Sequence, residues 1–185
     1  MTAAVQFRRA THADAQAIAV LHADSWRRHY RGAYADAYLD GDVVDDRLQA
    51  WSERLRADDA RRCTIVAEGE GALLGFAHTV LDDDPEWGAL LDNLHVTYGR
   101  KRGGIGSRLL ALTAQAVVEH RRDSGLYLWV LEQNVDAQAF YAARGGECVG
   151  RKPVTPPGGV EGRLNGAPEA FRYAWRDPST LLRLL

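Results

Sequence analysis

Between Arg100 and Arg108 the chain reads Arg-Lys-Arg-Gly-Gly-Ile-Gly-Ser-Arg, three glycines set among four basic residues. Apolar Leu94 and Val96 precede this stretch, and Ile105, Leu109, Leu112 and Val117 follow at helical spacing. A glycine-rich turn leaves several backbone N–H groups bare, and a helix starting there adds the positive end of its dipole. Phosphate groups bind such sites. A basic turn with no ligand is the plain alternative. The nucleotide loops fit poorly. Gly106 is followed by Ser107-Arg108 rather than by the Lys-Ser/Thr of a Walker loop, and a dinucleotide fingerprint through Gly104 and Gly106 puts Leu109 where its third glycine belongs.

The frame that fits is Arg/Gln-x-x-Gly-x-Gly/Ala after a strand, with Lys101 at its first position followed by Gly104, Ile105 and Gly106. A second frame lies in "LYLWVLEQNVDAQAFYAARGGECVGR", where Asn134, Ala137, Phe140 and Tyr141 are spaced along one helical segment. Together and in this order the two stretches resemble motifs A and B of the GNAT superfamily, the acyl-CoA-dependent N-acetyltransferases. The resemblance covers nearly the whole chain and is strongest over residues 72–150. Two positions depart from the family pattern. Lys101 stands where Arg or Gln is usual, which leaves Arg100 or Arg102 to face the phosphates, and Gly145-Gly146 replaces Gly-Phe, leaving an aromatic packing position unfilled.

The resemblance implies a strand pair, Leu94–Val96 and Leu126–Val130, that splays to admit the pantetheine arm of acetyl-CoA. It implies cofactor contacts at Leu94, His95, Val96, Lys101, Arg102, Gly103, Gly104, Ile105, Gly106, Ser107, Asn134, Ala137 and Tyr141. Acetyl transfer needs a neutral amine, a carbonyl held in line, and a protonated leaving thiolate. Tyr141 matches the family tyrosine that protonates the thiolate, against a packing role as a half-buried tyrosine. Asn134 bonds the pantetheine arm, caps its helix, or does both. For the base, His95 titrates in the useful range, with Asp92, Glu86 or a water chain as alternatives. Strand alternation predicts Asn93 and His95 on one face and Asp92 with Leu94 and Val96 on the other. The acceptor site falls to the first two helices and the last hairpin. There "SWRRHYRGAYADAYL" offers Trp26, Tyr30 and Tyr34, with Asn93 opposite; core packing is the alternative for these aromatics.

Positioning such a site requires a mixed sheet. Val5–Arg9 alternates as a strand, and Thr11 with Asp14 resembles a capping box that opens a helix towards Trp26. Val44, Leu48, Trp51 and Leu55 share a face of a second helix. A hairpin spans Cys63–Ala67 and Ala72–Leu81, "DDDPEW" is a loop, and Gly88–Val96 is the next strand. A helix from Ile105 to about His120, an apolar strand over Gly125–Leu131, a helix over Asn134–Arg144 and strands at Gly146–Arg151 and Glu169–Trp175 complete the chain. The fold class is α/β (α+β): a GNAT-like, mostly antiparallel sheet of about six to seven strands flanked by about four helices.

With 185 residues, 46% of them hydrophobic, the chain fits one domain over residues 1–185. A net charge of -2 argues against bulk nucleic-acid binding. Cys63 and Cys148 read as buried thiols of a reducing cytoplasm, with no metal spacing. No stretch has the apolar length of a membrane span or a leader. The expected protein is a cytoplasmic N-acetyltransferase (an acyltransferase of EC 2.3.1 type). It uses acetyl-CoA and a primary amine of a small molecule, amino acid or peptide, without nucleic acid, membrane or metal. A homodimer is compatible with exposed sheet edges. The alternative is a non-catalytic acyl-CoA sensor or scaffold of the same fold, and the acceptor's identity is left open.

Overall fold

The computed structural model describes residues 4–57, 59–100 and 103–185. Strand β1 (Gln6–Arg9) leads into a 3-10 turn at His12–Asp14. The backbone N–H of Thr11 donates to Asp14 Oδ2 at 2.7 Å, which ties off this helix start as its spacing predicts. Helix α1 (Ala15–His29) follows, then α2 (Asp36–Asp40) and α3 (Val43–Arg56). Strands β2 (Arg62–Gly69), β3 (Ala72–Asp84) and β4 (Gly88–Val96) form a meander. Helix α4 (Ile105–His120) crosses to β5 (Leu126–Leu131), and α5 (Val135–Ala142) leads to β6 (Glu147–Pro153) and β7 (Glu169–Trp175). Short 3-10 turns occupy Pro157–Gly159 and Pro178–Leu184.

Among the described residues seven strands form one sheet in the order β1-β2-β3-β4-β5-β7-β6, antiparallel except where β4 runs parallel to β5. Parallel neighbours need a long crossover, and α4 supplies it. Consecutive buried residues from Cys63 to Ala67 show why β2 has no polar face: both of its sides are covered. On one side Ile18 and Ala19 of α1 and Trp51 of α3 pack on Val66 and Phe76. On the other, Leu109, Leu110 and Val117 of α4 close over Ala77, Leu91 and Leu128, together with Leu181 from the C-terminal turn. Burying a side chain of this size contributes roughly 1.5–3 kcal/mol, so the two layers hold the sheet rigid from both faces.

Four expectations change. Among the described residues the α-helices number five where about four were expected, because residues 36–40 form a separate short helix that stops at Gly41, where an added Cβ would sit 2.7 Å from the Ala37 carbonyl oxygen. The acidic run Asp82–Asp84 belongs to β3, since Asp84 pairs with Gly88 across the turn. Cys148 is exposed and only Cys63 is buried. The vacancy expected beside Gly146 does not exist: the Trp175 ring fills it, 2.8 Å from where a Cβ would stand, and its indole N–H donates to the Arg144 carbonyl at 2.9 Å.

Candidate active site

Strands β4 and β5 pair at only two positions, Ala89 with Leu126 and Leu90 with Tyr127. Beyond them the strands part. The facing edges of β4 and β5 then have no strand partner, although each strand stays paired on its far side. A cleft of about 640 Å³ fills the gap, walled by Leu91–Val96, Leu128–Val130, the start of α4 and the inner side of α5. This is the predicted splayed pair, and unpaired backbone along both walls gives a polar lining that a peptide-like chain can satisfy.

A bulge sets what β4 shows to the cleft. Leu91 pairs with Thr79 and Asn93 with His78, so Asp92 is the extra residue. Ala89 and Leu91 face the α4 layer before it, and Leu94 and Val96 do so after it. The regular alternation read from the sequence therefore fails at Asp92. Its Oδ2 and Asn93 Oδ1 both accept from Arg54 Nη1 of α3, at 3.1 and 3.2 Å, so the two side chains turn to the same side.

His95, after the bulge, lines the cleft and is 9% exposed. Its Nδ1 lies 2.8 Å from Ser25 Oγ of α1. Its ring lies 4.7 Å from that of His22, a fully buried histidine whose Nδ1 accepts from the Trp51 indole N–H at 3.0 Å. Burial first, then the neighbouring His95 and Arg47, hold the His22 imidazole well below its ordinary range. The third base considered, Glu86, sits in the β3–β4 turn, away from the cleft.

Opposite His95, α5 brings Tyr141 and Ala137 to the cleft. Tyr141 packs edge-on to Phe140 and Trp175, and burial pushes its phenol pKa above the usual tyrosine range, with a smaller contribution from Tyr30. Asn134 caps α5 by accepting from the Ala137 N–H at 3.3 Å, and it lines the cleft as well. At the mouth α4 opens at Gly104, whose φ of 81° a side chain would disfavour. The first intrahelical bond runs from Arg108 N to Gly104 O at 3.0 Å, so the amides of Ile105, Gly106 and Ser107 have no partner within the helix. Gly104, Gly106 and Ser107 line the cleft, whereas Gly103 and the buried Ile105 do not. Lys101 and Arg102 lie outside the described residues. Arg100 reaches the cleft but pairs with Glu70 at 2.9 Å.

Residues missed by the sequence reading complete the mouth. Arg144 donates to Ser107 Oγ through Nε and Nη2, at 3.0 and 2.7 Å, and to the Phe140 carbonyl at 2.8 Å, with its guanidinium 3.7 Å above the Phe140 ring. A cation thus stands beside the bare end of α4. Of the three aromatics assigned to an acceptor, only Tyr30 lines the cleft. Trp26 and Tyr34 are buried with Tyr38, Leu39 and Leu131, and the Arg47 guanidinium lies 4.6 Å over the Trp26 ring. Packing places those two in the core. Ser25 and His29, from the same stretch as Tyr30, also line the cleft, as does Trp129, which no motif announced. No group of three or more metal-ligating side chains exists among the described residues.

Known proteins share this fold. The model of the acetyltransferase (GNAT) family matches residues 16–146. The chain is 30% identical over 142 residues, 75% of its length and 78% of the relative's, to the uncharacterized N-acetyltransferase YuaI of Bacillus subtilis (strain 168). Its fold is similar to that of the PaiA N-acetyltransferase from Thermoplasma acidophilum, solved in complex with coenzyme A (TM-score 0.67, 17% identity, 93% of this chain and 99% of that one). It is equally similar to an N-acetyltransferase from Staphylococcus aureus (TM-score 0.68, 16% identity, 95% and 99%). The chain belongs to the GNAT acetyltransferase family.

Proposed function

We propose that this protein transfers an acetyl group from acetyl-CoA to a primary amine of a small molecule, amino acid or peptide, by direct attack within the β4–β5 cleft. The observation that carries the reading is the joint placement of unpaired strand edges, the uncapped start of α4 and Tyr141 around one cavity. The chain's residues suit the co-substrate. Gly104 and Gly106 keep the helix start bare, Arg144 adds positive charge beside it, and the strand edges match the amides of a pantetheine arm. Coenzyme A bound to the Thermoplasma relative supports the same choice.

Acetyl-CoA supplies an activated thioester. As the amine's C–N bond forms and the C–S bond breaks, Tyr141 gives its hydroxyl proton to the departing sulfur. A phenol with a pKa at or above the ordinary value of about 10 carries that proton at neutral pH. His95, its Nδ1 held by Ser25, takes the amine's proton directly or through water. Tyr30 and Asn93 border the acceptor's side of the cleft.

Calorimetry with coenzyme A, followed by release of free thiol across a panel of amines, tests the proposal. Micromolar binding and turnover with at least one amine are expected. An Arg144→Gln variant should bind coenzyme A about tenfold more weakly, as loss of a charge-assisted contact requires. Absence of coenzyme A binding rejects the reading, and tight binding without turnover on any amine supports a non-catalytic acyl-CoA sensor instead.

A further inference from the structure

The half of the sheet beyond β5 carries an aromatic and cationic face that the catalytic reading does not use. Trp129 of β5 pairs in register with Arg172 of β7, which puts both side chains on one face. The Arg172 guanidinium lies 4.6 Å from the Trp129 ring, 4.9 Å from Trp87 and 5.4 Å from Tyr127. Lys152 of the edge strand β6 places its ammonium 4.2 Å from the same Trp129 ring. Trp129 also forms a wall of the cleft, so this face borders the candidate active site through that ring.

The positive charge here is only partly compensated. Arg172 makes no ion pair among the described residues, and its Nε is enclosed without an acceptor, whereas its terminal nitrogens are not. The carboxylates that act on these cations have other partners: Asp83 accepts from the Tyr127 hydroxyl, and Asp84 accepts the backbone N–H groups of Glu86 and Trp87 at 2.8 and 2.9 Å. They soften the local field without meeting the guanidinium. Partial burial and the Arg172 charge together lower the Lys152 pKa. Two cations held over one ring repel each other, and an anion between them would relieve both. A planar guanidinium braced by aromatic rings presents a fixed pair of N–H donors, which suits the two oxygens of a carboxylate.

We infer that Arg172 and Lys152, braced on Trp129, bind a carboxylate carried by the amine acceptor, so that the preferred substrates are amino-carboxylates rather than neutral amines or polyamines. This rests on the acetyl-transfer reading above and specifies its acceptor. The test compares kcat/KM for 5-aminopentanoate, pentylamine and 1,5-diaminopentane with the intact protein and with Lys152→Gln and Arg172→Gln. Lys152 is exposed, so its variant keeps the fold. The wild type should favour aminopentanoate over pentylamine by at least about tenfold, and each variant should bring that ratio close to one. Equal wild-type rates, or variants that leave the ratio intact, overturn the proposal.

A second measurement separates the two readings. Pentanedioate is titrated into labelled protein while the indole N–H signals of Trp129 and Trp87 and the Arg172 Nε–H signal are followed. A saturable shift that K152Q weakens at least about fivefold, in a protein that acetylates no amine, upholds the carboxylate site and rejects the catalysis. A flat titration to about 20 mM rejects the site even where amines are acetylated.

Discussion

Tyr141 concentrates the residue-scale argument. Its ring packs between Phe140 and Trp175, the residue lines the cleft, and burial raises its pKa above the ordinary value of about 10. It therefore remains a proton donor throughout the neutral range. Tyr141→Phe should lower kcat about a hundredfold while leaving coenzyme A affinity within about twofold, because only proton delivery is lost. An unchanged kcat would remove its role as acid. Tyr141 and Asn134 were legible in the sequence, since both belong to one short frame on one helix. Ser25 and Arg144 were not. Ser25 meets His95 across 70 residues and Arg144 meets Ser107 across 37, and no local spacing encodes contacts of that range.

At the scale of elements, the cleft depends on how β4 and β5 converge at its closed end. Gly88 adopts a φ of 84°, and a Cβ there would meet the Gly125 carbonyl oxygen at 2.4 Å and Ser124 Oγ at 2.5 Å. The same close approach lets Ala89 N–H donate to Gly125 O at 3.0 Å. The two strands touch here and diverge within a few residues, so this junction sets the angle of the splay. Gly88→Ala should cost about 2–4 kcal/mol, combining left-handed backbone strain with overpacking against β5. Thermal unfolding reads that loss, and coenzyme A binding should weaken with it as the cleft walls shift. A melting temperature equal to the wild type's would show that the junction is looser than these distances imply. The strands themselves were legible from alternation and apolar runs. Their divergence was not, because two residues of pairing and one bulge are decided by neighbouring chains rather than by the strand's own pattern.

For the molecule as a whole, two buried histidines link stability to pH. In the unfolded chain both protonate near 6.5. Folded, burial holds His22 neutral and lowers His78 to about 4, where its Nδ1 lies 2.7 Å from Thr64 Oγ1. Their contribution is thus complete above about pH 6.5 and is lost as the pH falls towards the folded values. At pH 5, His78 alone should reduce stability by about 2 kcal/mol. Carboxylates do not blur this window: Asp14, paired with Arg8, has its pKa held at about 2 and loses its contribution only at lower pH. The urea midpoint should therefore fall between pH 7.5 and pH 5, and His78→Gln should flatten the fall. A midpoint constant over that range would contradict the neutral burial of both rings.

The sequence by itself determined the order of strands and helices, the glycine turn ahead of α4, the Asn134–Tyr141 frame and, through these, the family. Each of those signals is local, resting on periodicity, capping or spacing within a single element. Only the tertiary structure decided that Trp26 and Tyr34 belong to the core, that Asp92 turns with Asn93 towards Arg54, and that Trp129 joins the cleft to a face with Arg172 and Lys152. An aromatic or charged side chain has the same local preferences whether it packs, pairs or binds. What separates these outcomes is the set of neighbours delivered by distant parts of the chain, and that set exists only once the sheet has closed.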